Sequence, residues 1–294
     1  PVENTAKGSI KYAFIGSGQG GGRLAEQFYS LGYNKSFVIN TSIQDLSFVG
    51  LPENHKLLLN IGLGGAGKNM ILGESAVVTH QQEIYDKMKQ IFGQVDHIMI
   101  CCSAGGGSGG GSALPLMMIA KRYLRYIGHT SDVNQRVGFF LTLPTNGEAA
   151  SIKVAANAYE LASRLSDLAE GDKDQSYSVS PLLLVDNDRV NKLYKGIPVA
   201  KFYPTINRSV AELFHIFNIL SLQGSEYISF DPTDYMGVVT CGGHSIMGVT
   251  TVKLDNINSS DESYVSNAIE YLARYGKKDG KNVKDLYKAI HNII

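Results

Sequence analysis

Short apolar runs alternate with amphipathic stretches along the first 188 residues of the chain. The runs are four to seven residues long, which is the usual length of a buried strand. They lie at residues 11–15, 36–40, 55–60, 98–102, 137–143 and 182–185. The stretches between them, among them residues 23–31, 70–92 and 148–168, have the spacing of helices. This alternation predicts one doubly wound α/β domain with a mostly parallel sheet.

The pattern changes after residue 188. Residues 203–222 are apolar on most faces, which predicts a long buried helix with Pro204 near its start. Beyond Gly224 the chain becomes rich in Gly and Val, with a strand expected within residues 237–254 and helices at 262–275 and 283–294. We therefore expect an α/β domain at residues 1–202, a central core helix at 203–223 and a small α+β C-terminal domain at 224–294.

Three glycine-rich segments follow predicted strands. They are GSGQGGG at residues 16–22, GLGGAGK at 62–68 and AGGGSGGGS at 104–112. The last segment lies between two apolar elements, which argues against a flexible Gly/Ser linker. Its helix is expected to start at Ala113, with Pro115 in the first turn.

Glycine backbones and helix N-termini together favour an anionic ligand. Glycine allows backbone N–H groups to approach an anion closely, and a helix N-terminus adds partial positive charge. The C-terminal ends of parallel strands share one edge of a sheet, so the three segments are expected to meet there. Three such segments exceed the needs of a single phosphate group and favour a nucleoside di- or triphosphate.

Composition narrows the function classes. The chain has 294 residues, and its 27 Lys+Arg balance its 27 Asp+Glu, so no overall field favours nucleic acid or a membrane surface. The basic residues of segment 274–294 are interpreted as a solvated helix face. Three cysteines without CxxC or Cys/His spacing predict neither a disulfide framework nor zinc, and fit a reducing cytoplasmic compartment. No apolar run is long enough to suggest a membrane span.

The glycine segment at 104–112 resembles the signature GGGTGSG of the tubulin/FtsZ superfamily. Ser108 stands where the signature has Thr, and Gly110 where it has Ser, with Ser112 as a further hydroxyl two residues on. Five other segments also resemble segments of the superfamily and occur along the chain in the same order as there. They are IGSGQGGGR at 15–23, INTSIQDL at 39–46, GLGGAGKNM at 62–70, LTLPTNGE at 141–148 and LLVDNDRV at 183–190. The GQGGG core is most similar to the plasmid- and phage-encoded branch (TubZ/PhuZ-like). The resemblance implies the tubulin/FtsZ GTPase fold with its long central helix.

The same resemblance implies GTP/GDP and Mg²⁺ as cofactors. Glu148 is the candidate for the ribose and Tyr203 for stacking on the base. Asn187 and Asn207 are candidates for guanine, because an amide both donates and accepts hydrogen bonds. The full set of implied nucleotide contacts is Gly18, Gln19, Gly20, Gly21, Arg23, Asn40, Gly65, Ala66, Gly67, Lys68, Gly105, Gly106, Gly107, Ser108, Gly109, Gly110, Glu148, Asn187, Tyr203 and Asn207. No side chain is assigned as a metal ligand.

Several of these residues have ordinary structural alternatives. Asparagines near turns and helix starts commonly act as caps, which applies to Asn187 and to Asn207. Lys68 is either a positive charge beside the γ-phosphate or an exposed loop lysine.

The segment SFDPTD at 229–234 resembles the catalytic loop NxDxxD of the superfamily. It keeps Asp231 and Asp234 and has Ser229 in place of Asn. In the superfamily this loop completes the GTP site of the next subunit, so the resemblance implies GTP hydrolysis coupled to head-to-tail polymerisation into dynamic filaments. By composition alone, D-P-T-D is typical of a helix cap or turn.

The implied biological setting is the cytoplasm of a bacterial host, where such filaments position plasmid DNA, phage DNA or phage. The expected partners are further copies of this chain and an adaptor protein bound to DNA or to a phage component. Neither a membrane nor direct contact with nucleic acid is expected.

Two alternatives remain open from the sequence. A nicotinamide-dependent oxidoreductase is suggested by GxGxxG at residues 16–21, directly after a strand. The second strand, however, ends in Asn40 and Thr41 where that fingerprint requires an acid, and two glycine segments would have no role. The departures at Ser229 and Gly110 leave room for a filament protein that binds nucleotide without hydrolysing it.

Overall fold

The apolar runs form the strands of one parallel sheet. The computed structural model describes residues 2–62, 64–171, 178–193, 197–222, 231–240 and 242–247. The strands are β1 Tyr12–Ser17, β2 Ser36–Asn40, β3 Lys56–Leu58, β4 His97–Ser103, β5 Val137–Leu143, β6 Leu182–Asp186 and β7 His244–Ser245. They lie in the order β3-β2-β1-β4-β5-β6-β7, and every pair is parallel. The predicted doubly wound α/β fold is therefore confirmed.

Helices connect the strands and cover both faces of the sheet. They are α1 Gly18–Ser30, α2 Ile43–Ser47, α3 Met70–Thr79, α4 Gln81–Ile91, α5 Gly107–Tyr126, α6 Asn146–Ala149, α7 Ile152–Glu170, α8 Asn187–Leu193, α9 Val199–Ile219 and α10 Pro232–Val239. Short 3₁₀ turns lie at Glu53–His55, Val133–Gln135 and Leu220–Leu222. Within the described residues, no helix is both long and apolar enough to cross a membrane.

Alternate residues of each strand supply two separate cores. One core, on the side of α3, α4, α5 and α7, includes Ala13, Ile15, Ile98 and Ile100. The other, on the side of α1, α9 and α10, includes Tyr12, Phe14, Met99 and Cys101. Side chains alternate along a strand, so a strand covered on both faces must be apolar throughout. This explains the near-continuous apolar runs of the sequence.

The strand order reverses next to β1. The chain runs from β1 outward to β2 and β3, then returns to form β4 on the other side of β1. A crevice opens outside the C-terminal ends of the strands at such a reversal. The segments that follow β1 and β4, both rich in glycine, lie on its two sides.

The helices begin inside the glycine segments, which corrects the predicted boundaries. The α1 helix starts at Gly18 and α5 at Gly107, so Pro115 lies inside α5 rather than in its first turn. Glycine has low helix propensity, but packing overrides it here. A Cβ at Gly111 would collide with the carbonyl oxygen of Met70 on α3, so the close contact of α3 and α5 requires glycine.

Two helix boundaries also differ from expectation. The stretch 70–92 divides at His80 into α3 and α4, where the His80 ring donates from Nδ1 to the Ala76 carbonyl over 2.8 Å. The central helix begins at Val199, ahead of the predicted residue 203.

The proposed division at residue 224 stays a prediction. Helix α10 and strand β7 belong to the segment assigned to the C-terminal domain, and β7 pairs with β6 at the edge of the sheet. Ser229, most of the strand expected within 237–254, the helices expected at 262–275 and 283–294, and the basic segment 274–294 lie outside the described residues.

One buried side chain makes the stability of the fold sensitive to pH. His97, at the start of β4, is fully buried against the ring of Tyr12 with centroids 5.3 Å apart. The Ser180 backbone lies near the ring, yet within the described residues neither ring nitrogen makes a hydrogen bond of normal geometry. Burial, assisted by Arg136, lowers the pKa of His97 to about 3. The folded protein therefore holds this imidazole neutral, while the unfolded chain protonates it near pH 6.5.

We expect His97→Phe to reduce the acid sensitivity of folding. Between pH 6.5 and about 3, the His97 imidazole is protonated in the unfolded wild type but not in the folded protein. The free energy of unfolding of the wild type therefore falls as the pH falls through this window. Removing the imidazole should lessen that slope by up to about 1.4 kcal/mol per pH unit. The free energy of unfolding, from urea titrations at pH 8 and stepwise down to pH 4, checks this.

Wild type and His97→Phe have the same carboxylates. The difference between their curves of unfolding free energy against pH therefore reports the effect of His97 alone. At pH 8 the variant should be no less stable, because Phe has no polar group to leave unpaired. Parallel curves below pH 6.5 would show that His97 does not set this sensitivity.

Candidate functional site

A cavity of about 560 Å³ opens at the C-terminal edge of the sheet. Its volume is typical of a site for a small organic ligand. The wall is formed by the segments that follow β1 to β6, together with α9. It comprises Ser17, Gly18, Gln19, Gly20, Arg23, Thr41, Ser42, Asp45, Gly64, Gly65, Ala66, Gly67, Lys68, Ser103, Gly105, Gly106, Gly107, Ser108, Gly109, Thr142, Leu143, Pro144, Glu148, Val154, Asn187, Tyr203 and Asn207.

Two helix N-termini form one end of this cavity. The α1 helix follows Ser17 and α5 follows Gly106, and neither cap position supplies a side-chain hydrogen bond to its helix. The first-turn N–H groups of a helix have no intrahelical acceptor and carry partial positive charge. Gly18 enters α1 with φ of 68°, a left-handed conformation that favours glycine. This end is therefore suited to an anion such as phosphate.

Hydroxyl pairs join the segments around the anion end. Thr41 and Ser108 lie 2.6 Å apart between their hydroxyl oxygens, and Ser103 and Thr142 lie 2.8 Å apart. The first pair joins the segments that follow β2 and β4, and the second joins the adjacent strands β4 and β5, so the wall is cross-linked. Ser112 bonds instead to Ser17 and to the Gly109 carbonyl and is 1% exposed, so its hydroxyl does not face a ligand.

The second glycine segment, residues 62 and 64–68, is fastened to the wall at three points. The Ala66 N–H donates to the Thr41 hydroxyl over 3.1 Å, and Lys153 Nζ donates to the Gly67 carbonyl over 3.1 Å. The Asn157 amide donates both to the Lys68 carbonyl (2.9 Å) and to the Gly105 carbonyl (3.3 Å). Asn157 of α7 therefore ties two glycine segments together.

Lys68 lies on the wall in a strained backbone conformation. Its φ is 61°, the left-handed region that costs a side-chain-bearing residue roughly 1–2 kcal/mol. The Asn157 bond to its carbonyl holds the backbone of Lys68 at the cavity wall, and the residue itself is exposed.

Two buried asparagines mark the other end of the cavity. Asn187 and Asn207 are each 7% exposed, and neither side-chain amide has a hydrogen-bond partner in the described part of the chain. Asn207 lies well inside α9, so it does not cap that helix. An amide both donates and accepts hydrogen bonds, so two amides on one cavity wall suit a polar ligand with both donors and acceptors.

Glu148 and Tyr203 form a third part of the wall and bond to each other. The Tyr203 hydroxyl donates to Glu148 Oε1 over 2.9 Å, while Glu148 Oε2 accepts from the Thr145 N–H over 2.8 Å. Burial and the neighbouring carboxylate raise the pKa of Tyr203 to about 12. The ring is therefore fixed before any ligand binds.

Asp231 and Asp234 lie far from this cavity. Both are exposed at the start of α10, where Asp231 Oδ1 accepts from the Asp234 N–H over 2.9 Å and Asp234 Oδ2 accepts from the Asp231 N–H over 3.1 Å. This is a capping box, so the expected structural role of D-P-T-D is present. Backbone N–H groups of Asp234 and Thr233 hold the pKa of Asp231 below its usual range.

The helix that carries these aspartates packs at the N-terminal edge of the sheet. The Tyr235 hydroxyl bonds to that of Tyr12, the first residue of β1, over 2.8 Å. The Ser180 hydroxyl, just before β6, donates to the Val239 carbonyl over 3.1 Å. The glycine segments and the aspartate pair therefore lie at opposite edges of the same sheet.

Comparison with known proteins identifies the architecture. A tubulin-like protein TubZ of Bacillus cereus is 25% identical over 299 residues, covering 96% of this chain and 63% of its own length. The GTPγS-bound protofilament of CetZ2 from Haloferax volcanii has a TM-score of 0.67 at 21% identity, with 90% of this chain and 72% of that chain covered. A GTPγS-form protofilament of TubZ from Bacillus thuringiensis serovar israelensis has a TM-score of 0.63 at 18% identity, with 79% and 62% covered.

The chain has the tubulin/FtsZ fold. The resemblance to the TubZ-like branch is likewise confirmed. No protein-family model matches the chain. The chain spans 63% of the length of the curated relatives that it matches.

The tubulin/FtsZ fold brings most of the implied nucleotide contacts to one cavity. Three do not reach its wall, namely Gly21, Asn40 and Gly110. A Cβ at Gly21 would collide with the Cys101 carbonyl, so this glycine serves the contact of α1 with β4. Asn40 is 3% exposed and accepts a hydrogen bond from the Ser42 N–H over 3.1 Å. Gly110 faces the side chain of Met70.

Several wall residues were missed by the sequence analysis. The hydroxyls of Ser17, Thr41, Ser103 and Thr142 directly end or follow strands, which is a usable signal. Asp45 is an acidic residue on the wall, placed in the first turn of α2 and 3.5 Å from the Gln19 amide nitrogen. The three-residue spacing from its N-cap, Ser42, could have identified it.

The donor set at the anion end suits a hydrated cation rather than a closed metal cage. Within the described ranges no three His, Cys, Asp or Glu side chains cluster to hold a metal ion. One carboxylate, Asp45, and the Ser108 hydroxyl fit Mg²⁺, which keeps most of its water ligands and is held through phosphate oxygens.

The strained backbone at Lys68 generates a stability prediction. We expect Lys68→Gly to be more stable than Lys68→Ala by roughly 1 kcal/mol, because glycine removes the left-handed strain that alanine retains, less its own entropy cost. Urea denaturation of both variants without nucleotide measures the difference. Lys153 lies in α7, so Lys153→Gly should instead be less stable than Lys153→Ala. The same order at both positions would show that Lys68 is not strained.

Proposed function

We propose that this chain binds GTP, hydrolyses it to GDP and phosphate, and polymerises head-to-tail so that each subunit completes the active site of its neighbour. The observation that supports this proposal is that the cavity and the pair Asp231 and Asp234 lie at opposite edges of one sheet. β1 has six residues at about 3.3 Å each, so the edges are on the order of 15 Å apart. Asp231 and Asp234 cannot act on the nucleotide of their own subunit, but head-to-tail stacking brings them to the next cavity.

The nature of the base follows from the amide pair. Asn187 and Asn207 present donors and acceptors to the cavity from buried positions. Guanine offers ring and amino N–H groups on one edge and acceptors on another, which matches two amides. Tyr203, fixed by Glu148, supplies a ring against which a base can lie, and Glu148 retains carboxylate capacity for a ribose hydroxyl.

The phosphates would lie on the N-termini of α1 and α5. Their N–H groups, with Lys68 beyond them, neutralise charge without side-chain movement. Asp45 and Ser108 would hold a hydrated Mg²⁺, which supplies charge neutralisation between phosphate oxygens. The hydroxyl pairs Thr41–Ser108 and Ser103–Thr142 keep this end rigid, so little reorganisation is needed.

The aspartate pair acts on water rather than on phosphate. Asp231 is an exposed carboxylate whose pKa is lowered further by hydrogen bonds from the Asp234 and Thr233 backbone N–H groups. Such a carboxylate is a weak base, so its role is to orient and polarise the attacking water. In the chain proposed here it reaches that water only across a subunit contact, which couples turnover to assembly.

The relatives support this proposal by what they assemble into. The CetZ2 structure is a GTPγS-bound protofilament, and the Bacillus thuringiensis TubZ structure is a GTPγS-form protofilament. We extend both properties to this chain, with plasmid or phage positioning in a bacterial cytoplasm as its setting and a DNA- or phage-bound adaptor as partner. The nicotinamide alternative is disfavoured because it gives no role to two glycine segments that line the same cavity. A non-hydrolysing filament is distinguished by phosphate release.

Guanine specificity is expected to depend on the two asparagines. Asn187→Ala and Asn207→Ala should each weaken GDP binding by roughly 10–100-fold, equivalent to about 1.4–2.8 kcal/mol. Binding of ATP should change little, because the phosphate contacts are untouched. Displacement of a fluorescent GDP by GTP and by ATP measures both. Asn54→Ala, an exposed asparagine outside the cavity, is the control. Equal losses for GTP and ATP would contradict base recognition.

Catalysis across the subunit contact can be tested by single turnover. Asp231→Ala is loaded with γ-labelled GTP and mixed with wild type carrying excess unlabelled GTP. Labelled phosphate should be released, because wild-type aspartates reach the variant's cavity. The same variant mixed with unlabelled Asp231→Ala or Asp234→Ala should release only background label, a decrease of roughly 100-fold or more.

Two outcomes would contradict this prediction. Release that wild type cannot restore would place the aspartates in their own subunit's reaction. Full turnover by Asp231→Ala and Asp234→Ala alone would remove them from catalysis. Turnover per wild-type subunit should also rise with protein concentration, since the shared site forms only on assembly.

A further inference from the structure

A buried hydrogen bond between two tyrosines joins the start of the aspartate helix α10 to the sheet, and the Ser180–Val239 bond joins its end. Tyr235 is fully buried, and its hydroxyl lies 2.8 Å from that of Tyr12, also fully buried. Burial raises the pKa of both phenols far above the usual value, so both stay protonated. A buried hydroxyl is costly without a partner, so the Tyr12 hydroxyl depends on its bond to Tyr235.

The position of Tyr235 makes this bond relevant to the aspartates. Tyr235 follows Asp234 directly and lies one helical turn after Asp231. Its ring packs on Phe217 of α9 with centroids 4.8 Å apart, and the ring of Tyr12 packs on Phe214 at 4.9 Å. Ring packing limits how deep α10 lies, whereas the hydroxyl contact, being directional, fixes its rotation about its own axis.

Tyr12 connects this contact to the cavity. It is the first residue of β1, whose last residue, Ser17, lies on the cavity wall and precedes α1. One fully buried strand therefore carries the aspartate helix at one end and a phosphate-binding helix at the other.

We propose that the Tyr12–Tyr235 hydrogen bond positions the aspartate pair for action on the neighbouring subunit's nucleotide. Tyr235 is a positioning residue and touches neither nucleotide nor water. The proposal rests on the proposed function, because it concerns how Asp231 and Asp234 are held. Exposed carboxylates on a short helix depend on that helix for orientation, and a displacement near 1 Å lowers catalytic rates by up to about 100-fold.

The test compares Tyr235→Phe with the double variant Tyr12→Phe/Tyr235→Phe. Tyr235→Phe keeps the ring and leaves the Tyr12 hydroxyl buried without this partner, so both stability and orientation should suffer. The double variant removes both hydroxyls, which relieves the unpaired group and should recover stability. If the bond positions α10, turnover should stay low in both variants.

Tyr33→Phe is the matched control. Tyr33 is 1% exposed in the same aromatic core, and its hydroxyl bonds to His215 and Asn218 of α9 rather than to α10. It reports the effect of losing a buried hydroxyl away from the aspartates.

The readouts are kcat per sedimented subunit, KM for GTP, affinity for GDP and the free energy of unfolding. We expect kcat to fall roughly tenfold or more in Tyr235→Phe and in the double variant, with KM and GDP affinity unchanged. Tyr33→Phe should lose stability while keeping kcat. Recovery of kcat along with stability in the double variant would overturn the proposal, as would a normal kcat in Tyr235→Phe.

Asp231→Ala, measured in parallel, separates a failure of the positioning role from a failure of the proposed function. If it loses turnover while Tyr235→Phe does not, only the positioning role fails. If Asp231→Ala retains turnover, the assignment of the aspartates in the proposed function fails first.

Discussion

Close contact between glycine backbones and their neighbours is the constraint on which this structure depends. The cavity is open to a ligand because the first turns of α1 and α5 are mostly glycine, with Gln19 and Ser108 as their side-chain-bearing residues. The same glycines let those helices approach the sheet and one another: Gly21 lies against Cys101 of β4 and Gly111 against Met70 of α3, where a Cβ would collide. Packing and ligand access therefore share one requirement. Substituting a glycine would alter the wall even where that glycine never meets a ligand.

The parallel sheet fixes where the cavity lies relative to the opposite edge of the subunit. All six residues of β1 are buried, so the strand is fixed by cores on both faces. Its C-terminal end delivers α1 to the cavity, and its N-terminal end meets Tyr235 below the aspartate pair. A rigid spacer of this kind keeps the cavity and the exposed aspartates at a constant separation. In the head-to-tail stack that we propose, that constancy would let every contact between subunits have the same geometry.

Patterns along the chain predicted the sheet well because strands β1, β2, β4 and β5 are buried on both faces. Continuous apolar runs such as residues 137–143 have few other interpretations once helices lie between them. Helix starts were harder to predict, because glycine opposes helix formation locally and the contact of α3 with α5 that overrides it is non-local. The division at His80 was missed for a related reason, since the ring bonds to the carbonyl one turn back and nothing in the apolar spacing marks it.

The candidate site shows the same distinction between local and assembled features. Glycine segments and asparagines could be named from motifs, but motifs could not tell which glycines face the cavity. The hydroxyl pairs Thr41–Ser108 and Ser103–Thr142 join residues 67 and 39 positions apart, so no local pattern predicts them. The role of Asn157 could not be predicted from the sequence either, because its amide donates to backbone carbonyls on two different glycine segments.

The capping box at Asp231 and Asp234 reconciles two interpretations that were alternatives in the sequence. A carboxylate that caps a helix is a weaker base, so the capping role and a catalytic role conflict only if catalysis requires a strong base. Here the backbone N–H groups of Thr233 and Asp234 donate to the Asp231 carboxylate and lower its pKa, and the capping box holds both carboxylates at a fixed point on α10. Fixed charge is what orienting a water molecule requires. The structural role would therefore prepare the aspartates for the proposed chemical one, provided that α10 itself is held still, which is the role we propose for the Tyr12–Tyr235 pair.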